Sequence, residues 1–438
     1  MPDHTDRTEA IAPALSAPAR PAVPTELADT PPPTLRSAGL RGLLAGLTVM
    51  QLFLCLFWAA IGVTLLALQI QQIDPIGYVG SLGLVLAIGA IGSMLSGPIM
   101  GSISDRVRSR LGPRIPVMLV GAVLTVVLTG LMASAGSIAA LTVYWFLLQF
   151  VTVGFLSTTM WTHLPDRVPA GRRGAFSASL GMASLIGATA GQAIASAFAS
   201  AVFVGYLVVG TAVFVSTVPV AFVGRKSNVG EPRVPFDLRA LLHTFWVDPR
   251  EHPDFAWTFV ARFMLYSGYF LVSSYTLYML QDYVGLGTEG AVRVLPIAGL
   301  ATLVGVLIST PVAGFLVDRL GRTKPILIIV ATVLAVGSLV PLVAPTALGV
   351  IIYAAVAGCG FGAYLSVDYV LITQVLPSAG DTGKDLGIIN ITATLPQTVA
   401  AAGSGLIITT LGYTALFPIA AGLGLLGGLL LLPVRAVK

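Results

Sequence analysis

Charged residues are scarce in this chain: Asp, Glu, Lys and Arg make up 10% of its 438 residues, and hydrophobic residues make up 56%. Soluble globular domains contain roughly a quarter charged residues. The composition therefore lies far outside that of soluble domains. It indicates that lipid, rather than water, surrounds most of the chain.

Cysteine and histidine are also scarce. Cys55 and Cys359 both lie in long apolar runs, so a disulfide framework is not indicated and small buried side chains are favoured. No H-E-x-x-H motif occurs, and one acidic residue alone lies deep in an apolar run, which disfavours intramembrane proteases. The four histidines lie in the tail, in loops or at loop edges: His4, His163, His243 and His252. We expect no enzyme, no metal site and no cofactor.

Long apolar runs occupy most of the chain. A run of 18 or more apolar residues can cross a hydrocarbon core of about 30 Å as a helix, and Gly or Pro within it is tolerated. Twelve such runs cover 43–70, 77–100, 115–136, 138–161, 175–197, 199–223, 256–281, 291–315, 325–343, 346–375, 386–411 and 413–434. The sequence predicts an all-α membrane protein with twelve transmembrane helices.

Basic residues mark one side of the membrane. All but two of the 24 Lys and Arg residues lie in the tails or in loops 2-3, 4-5, 6-7, 8-9 and 10-11; the exceptions are Arg262 and Arg293. Because cytoplasmic loops carry the excess of Lys and Arg, we expect both termini to be cytoplasmic. The net charge of +5 is spread over these loops and forms no stripe, so nucleic acid is not expected as a partner.

Two polar segments divide the chain. Residues 1–38 are rich in Pro, Ala, Thr and charge and lack the apolar core of a cleaved signal, so we expect a disordered cytoplasmic tail. Residues 224–255 are too polar for a membrane core and predict a cytoplasmic linker. This linker separates an N-terminal six-helix bundle over 39–223 from a C-terminal one over 256–434.

The two halves share charged segments. The hinge GSISDRVRSRLGPRIP at 101–116 has a shorter counterpart, GFLVDRLGRTKP at 314–325, which starts 213 residues later. LPDRVPAGRRG at 164–174 has a counterpart in LPSAGDTGKDLG at 376–387, displaced by 212 residues. Two pairs of similar segments, displaced by nearly the same number of residues, indicate two pseudo-symmetric halves. Such halves are related by an axis along the membrane normal and hold a substrate between them.

Twelve helices, a long central loop and G-x-x-x-D-R-x-x-x-R in loop 2-3, echoed in loop 8-9, resemble the major facilitator superfamily. The SDRVRSRLGPRIP form is similar to the glycoside-pentoside-hexuronide and sucrose-transporter-like branch, although residues 112–114 read Gly-Pro-Arg where the branch usually has Gly-Arg-Arg. YMLQDYVGL at 278–286 and GKDLGIIN at 383–390 resemble bacterial members. The resemblance implies a transporter in a bacterial cytoplasmic membrane, and we expect a monomer.

Acidic residues are missing from helices 2 and 4. In the sodium-using melibiose carriers of this branch, acidic residues on those two helices hold the cation. The sodium site therefore does not carry over to this chain. Protons are the coupling ion that the sequence favours.

The charged hinges predict a cytoplasmic gate, besides their general effect on topology. The resemblance implies that Asp105 faces the amino end of helix 11 near Leu386, and Asp318 that of helix 5 near Gly174. A carboxylate at such an end is favoured by about 0.3 to 1 kcal/mol. Arginines nearby can add bidentate contacts. The predicted gate residues are Asp105, Arg106, Arg110, Arg114, Asp166, Arg173, Asp318, Arg319 and Arg322.

Polar and aromatic residues recur at steps of three and four on helices 1, 4, 7, 10 and 11, and the resemblance implies that the first four line a cavity. Singly, such residues are explained by interhelical hydrogen bonds worth about 0.6 kcal/mol each. Together, amides and aromatic faces suit a neutral polyol such as a sugar. The predicted cavity residues are Gln51, Trp58, Trp145, Gln149, Tyr266, Tyr269, Tyr364, Asn390 and Gln397.

Asp368 is the acidic residue placed well inside a span, at a depth similar to that of Arg262. A charge at that depth costs at least about 2.5 kcal/mol unless it is solvated or paired. The two residues predict either a fixed structural salt bridge or a proton-coupling site from which Arg262 withdraws. The favoured function is proton-coupled transport of a sugar or glycoside. An exporter of amphipathic compounds and a non-transporting membrane sensor remain as alternatives.

Overall fold

The computed structural model describes residues 37–225, 227–230, 253–320, 323–375 and 382–434, and all regular structure within these ranges is helical. Twelve long helices follow one another. They are α1 (Ser37–Ala59, a π-helical turn Ala60–Leu65, and Leu66–Ile73), α2 (Tyr78–Ser104), α3 (Ile115–Ala133), α4 (Ile138–Phe150, π-helical Val151–Thr158, and Thr159–Arg167), α5 (Ala170–Ala197), α6 (Val202–Val223), α7 (Pro253–Ser273), α8 (Gly287–Leu320), α9 (Thr323–Val343), α10 (Ala347–Val375), α11 (Thr382–Leu411) and α12 (Tyr413–Leu429).

Ten of these helices are long and apolar enough to cross a membrane, and α11 and α12 contain the shorter apolar segments Leu395–Leu411 and Tyr413–Leu429. The predicted fold class is confirmed. We call the side on which α2 ends and α3 begins the hinge side, and the side on which α1 ends and α2 begins the far side. Short segments, Thr276–Tyr278 and the π-helical Met279–Tyr283, follow α7 on the far side.

Helix packing repeats between the two halves of the chain. In the amino half α1 packs on α5 and α6, α2 on α4, and α3 on α6; in the carboxyl half α7 packs on α11 and α12, α8 on α10, and α9 on α12. Each carboxyl-half pair is an amino-half pair shifted by six helices. The main contacts between the halves are α2 with α11 and α5 with α8. Moving each helix to its equivalent in the other half turns the first contact into the second. The packing is thus that of two pseudo-symmetric six-helix bundles.

Glycines bring the helix backbones close together where these pairs cross. A Cβ on Gly187 of α5 would lie 2.2 Å from the Leu52 carbonyl oxygen of α1. Between the halves, a Cβ on Gly83 of α2 would lie 3.4 Å from the Cα atom of Gly405 of α11. Lipid supplies no hydrophobic force between helices, so close backbone contact through small residues holds them together.

Helix starts on the far side follow from local sequence. Ser137 accepts a hydrogen bond from the Ala140 amide at 3.3 Å before α4, and Thr346 accepts one from the Gly349 amide at 3.1 Å before α10. Both side chains satisfy an amide that the first turn of a helix leaves without a partner. The equivalent helices of the two halves therefore begin with the same kind of cap.

Candidate functional site

A cavity of about 600 Å³ lies between the two halves. It is lined by α1, α2, α4 and α5 from the amino half and by α7, α8, α10 and α11 from the carboxyl half. Among the described residues that line it, none is charged. Its aromatic and amide residues are Trp58, Trp145, Tyr269, Phe270, Tyr353, Gln149, Gln192 and Gln397.

Five of the predicted cavity residues line this cavity, namely Trp58, Trp145, Gln149, Tyr269 and Gln397. The others do not. The Gln51 amide donates to Ser184 Oγ at 2.7 Å and to Cys55 Sγ at 3.3 Å, so it connects α1 to α5. Tyr266 and Tyr364 are buried beside Asp368. The side chain of Asn390 lies outside the described part of the chain.

Two residues of α4 that line the cavity each carry a polar atom without a hydrogen-bond partner among the described residues. These atoms are the donor Trp145 Nε1 and the acceptor Gln149 Oε1, which are buried and one helical turn apart. By contrast, Trp58 Nε1 donates to Thr152 Oγ1 at 3.3 Å. A buried polar group left without a partner costs about 1 to 3 kcal/mol, so both atoms destabilise this state of the protein.

Gln192 and Tyr353 line the cavity although the sequence pattern did not select them. Gln192 reaches across from α5 to α8, because a Cβ on Gly299 would lie 2.3 Å from Gln192 Oε1. Gln192 is the single amide in predicted helix 5, and Tyr353 lies about two helical turns before Phe361, where the predicted pattern on helix 10 begins. A search for pairs at steps of three and four therefore passes over both residues.

Arg262 and Asp368 form a buried ion pair between α7 and α10. Arg262 Nη2 lies 2.8 Å from Asp368 Oδ2, and the two side chains are 5% and 6% exposed. Tyr364 donates its hydroxyl hydrogen to Asp368 Oδ1 at 2.8 Å. The Arg262 guanidinium carbon lies 5.3 Å from the centre of the Tyr266 ring, a distance suited to a cation–π contact. Both carboxylate oxygens are therefore occupied.

On the far side, hydrogen bonds cross between the two halves. Tyr275 donates to the Val79 carbonyl at 2.9 Å, and Tyr278 donates to the Ala67 carbonyl at 2.8 Å. The Tyr278 ring also meets the Tyr78 ring edge to face at 4.8 Å. These contacts join the two halves on the far side.

On the hinge side, Asp105, Arg106 and Asn228 make contacts within the amino half. Asp105 pairs with Arg114 at 2.6 Å across the hinge, and the Asp105 side chain is 52% exposed. Arg106 donates to the carbonyl and hydroxyl oxygens of Ser102. The Asn228 amide donates to the Val107 carbonyl at 2.8 Å and accepts from the Ser109 amide at 3.0 Å.

The other predicted gate residues are less fully described. Arg173 donates to the Val168 carbonyl at 3.1 Å, whereas Arg110 and Arg319 are exposed. The side chains of Asp166 and Asp318, and all of Arg322, lie outside the described residues. The expected approach of Asp105 to α11 and of Asp318 to α5 stays a prediction.

Comparison with protein families decides the relationship that these features suggest. The sequence model of the Major Facilitator Superfamily matches residues 47–309 and 297–438. This chain belongs to that superfamily. Major facilitators are transporters that work in a lipid bilayer on small-molecule substrates, and they are not enzymes. Among curated protein sequences, none matches this facilitator.

Solved structures share the fold over nearly the whole chain. A variant of the nucleoside transporter NupG has a TM-score of 0.71 and 13% identity, and the match covers 90% of this chain and 100% of that one. A D-xylose-proton symporter has a TM-score of 0.66 and 18% identity, and the match covers 91% of this chain and 99% of that one. A bacterial homolog of the human lysosomal transporter Spinster, in an inward-facing and unoccupied conformation, has a TM-score of 0.64 and 14% identity. That match covers 92% of this chain and 96% of the other. At these identities the likeness concerns the fold alone.

Proposed function

We propose that this facilitator moves a neutral polyhydroxylated solute, a sugar or glycoside, together with protons by alternating access. The observation that carries the proposal is the uncharged lining of the cavity, with rings and amides from both halves. Rings stack on the apolar faces of a sugar, and amides offer both donors and acceptors to its hydroxyl groups. A volume of about 600 Å³ lies within the range of roughly 300 to 1,000 Å³ typical of small-molecule sites.

The structural neighbours are compatible with this solute class. One is named as a transporter of nucleosides and another as a symporter of D-xylose and protons, and both solutes are neutral and hydroxylated. The SDRVRSRLGPRIP hinge supports the narrower assignment to the glycoside-pentoside-hexuronide branch. The uncharged lining favours glycosides and pentosides over hexuronides within that branch, because a uronate carboxylate would have no cationic partner among the described lining residues.

Asp368 is the residue that we assign to proton coupling, with Arg262 as its partner. Their ion pair is buried, so separating the two would leave an ionised carboxylate at a site where an isolated charge is costly. Proton uptake removes that cost. A cycle in which the pair opens and closes can therefore move one proton with each solute.

The hinge side faces the cytoplasm in this proposal, and the hinges form its gate. Asp105 and Asp318 would hold that side shut in the opposite state by meeting the amino ends of α11 and α5. Asp105→Asn should then raise the labelling of cavity cysteines from the hinge side while the protein still inserts. Unchanged labelling in Asp105→Asn and in Asp318→Asn removes the gate proposal.

Transport by purified protein in liposomes tests the function. The panel contains D-xylose, sucrose, melibiose, uridine and a set of amphipathic drugs, with glucuronate as a charged counterpart, and uptake is followed by tracer and by an internal pH dye. We expect uptake of at least one neutral sugar, accompanied by protons, and none of glucuronate. A panel in which only amphipathic compounds move indicates an exporter, and binding without flux indicates a sensor.

A further inference from the structure

The ion pair and the cavity are separate but linked. Neither Arg262 nor Asp368 lines the cavity, and both are almost fully buried. A neutral solute in the cavity therefore does not touch the carboxylate that would take up the proton. Coupling requires a structure between them that changes when the cavity is filled.

Three pairs of side chains connect α7 to α10 between those two places. α7 runs away from the hinge side and α10 runs towards it, so pairs at increasing numbers on α7 have decreasing numbers on α10. We call these pairs the α7–α10 ladder: Arg262–Asp368, Tyr266–Tyr364 and Tyr269–Phe361. The first and third pairs are seven residues apart on each helix, about 10 Å along the axis.

The three pairs differ in kind. Tyr266 meets Tyr364 edge to face, with ring centres 5.3 Å apart and planes at 83°. Tyr269 stacks on Phe361 with ring centres 4.2 Å apart and planes at 9°. Tyr269 lines the cavity, whereas Phe361 lies behind it. The stacked pair is thus the end of the ladder that a solute reaches.

We infer that the Tyr269–Phe361 stack is the positioning element that transmits cavity occupancy to the Arg262–Asp368 pair. The inference rests on the proposed function. A sugar that stacks on Tyr269 competes for the ring face that Phe361 now holds, and displacement of either ring changes the spacing of α7 and α10. Because the ionic pair spans the same two helices, it opens with that spacing.

The groups around Asp368 determine how its carboxylate responds when the ion pair opens. The titratable and charged groups described around it are Arg262 and Tyr266 from α7 and Tyr364 from α10. When α7 moves, Arg262 and Tyr266 move with it, and Tyr364 remains on the same helix as Asp368. The carboxylate then keeps one neutral donor and loses its counter-ion, which favours the protonated carboxyl.

Removing the ring of Phe361 tests the inference, because that ring is outside the cavity lining. Purified wild type and Phe361→Leu are compared for equilibrium binding of labelled D-xylose, sucrose or melibiose, whichever the liposome panel shows to be transported. Proton uptake on addition of saturating sugar is measured with a pH dye in weakly buffered detergent. We expect wild type to take up close to one proton per sugar bound, and Phe361→Leu to bind sugar with at least a fivefold lower proton uptake.

Matched variants separate transmission from general damage. Phe361→Tyr keeps the ring and should keep proton uptake, and Phe361→Met gives a second ring-free variant if Leu does not fold. Tyr353→Leu removes a cavity ring of α10 outside the ladder, and should weaken sugar affinity while leaving proton uptake per bound sugar unchanged.

Three results overturn the inference. The first is wild-type proton uptake in Phe361→Leu, which leaves the proposed function standing. The second is joint loss of sugar binding and proton uptake in both ring-free variants, which makes the ring merely structural. The third is sugar binding to wild type without proton uptake, which removes the proposed proton coupling as well.

Discussion

Tyr278 of the carboxyl half donates a hydrogen bond to the carbonyl oxygen of Ala67 in the amino half, 211 positions earlier, at a distance of 2.8 Å. The bond is buried and crosses the far side of the cavity. In the proposed alternating-access cycle this bond belongs to a state closed on the far side, and it must break when that side opens.

Tyr278→Phe should shift the resting population towards a state open on the far side. A buried neutral hydrogen bond contributes about 1 kcal/mol, which corresponds to a roughly fivefold change in the ratio of closed to open molecules. The measurement is the labelling rate of Ser273→Cys by an impermeant maleimide added to the far side, after Cys55 and Cys359 are replaced. We expect about a fivefold faster rate.

Tyr206→Phe is the matched control, since the Tyr206 hydroxyl in α6 is buried and has no hydrogen-bond partner among the described residues. Its removal should leave the labelling rate unchanged. Equal rates in all three proteins would show that the Tyr278 bond does not hold the far side closed.

Asp368→Asn should separate the two interpretations of the buried pair. Removing one partner of a buried ion pair costs about 3 to 5 kcal/mol, because the other charge is left unpaired. If the pair is a structural bridge, unfolding temperature falls and Arg262→Gln in the same protein restores it. If Asp368 carries the proton, proton-driven accumulation is lost while sugar exchange continues.

The control for this prediction is another ion pair with the same distance. Arg293 Nη2 lies 2.8 Å from Glu289 Oε1, but the two side chains are 76% and 86% exposed. An exposed pair of this kind contributes less than about 1 kcal/mol. Glu289→Gln should therefore leave both stability and transport nearly unchanged. Full proton-driven accumulation in a folded Asp368→Asn protein would rule out the coupling role.

Hydrophobic runs and helical periodicity predicted the fold and part of the site. Arg262, Tyr266 and Tyr269 share one face of helix 7, and periodicity finds that face. It does not say that only Tyr269 reaches the cavity, because position along the helix axis depends on how α7 packs against α10. Gln51 was expected at the cavity for the same reason, but its partner is Ser184 on α5. Depth and partner come from tertiary packing.

Asp74 predicts a pH dependence outside the membrane spans. Hydrogen bonds from the Gly77 amide at 2.8 Å and the Ser81 hydroxyl at 2.7 Å hold the pKa of Asp74 below its ordinary value of 3.8. A lowered pKa stabilises the fold above the unfolded value, and the contribution is lost as pH falls through the folded value. Ser81→Ala should thus lower the unfolding temperature more at pH 7 than at pH 3, because the contribution declines once the pH is below the unfolded value.

The control for Ser81→Ala is Ser134→Ala, whose exposed hydroxyl donates to the Gly130 and Leu131 carbonyls and to no carboxylate. Any effect of this control should be the same at both pH values. A difference between wild type and Ser81→Ala that is as large at pH 3 as at pH 7 would show that the Ser81 hydroxyl does not act through the Asp74 charge.

Orientation has its own test at Ser227, which is exposed just after α6 on the hinge side. In a background without Cys55 and Cys359, Ser227→Cys should react with an impermeant maleimide only after the membrane is opened. Thr346→Cys, before α10 on the far side, is the opposite control and should react in intact cells. The reverse pattern would place the hinge side outside.

Gly83 and Gly405 let the backbones of α2 and α11 lie against each other with no side chain between them. Interlocking ridges of side chains fix the angle at which two helices cross, and such ridges are missing where these two glycines meet, so the crossing angle is less constrained at this point. The same two glycines leave room for the Tyr275 hydroxyl, since a Cβ on either would lie within 2.9 Å of it. A side chain at either position would therefore separate α2 from α11 and displace the Tyr275 hydroxyl from the Val79 carbonyl to which it donates.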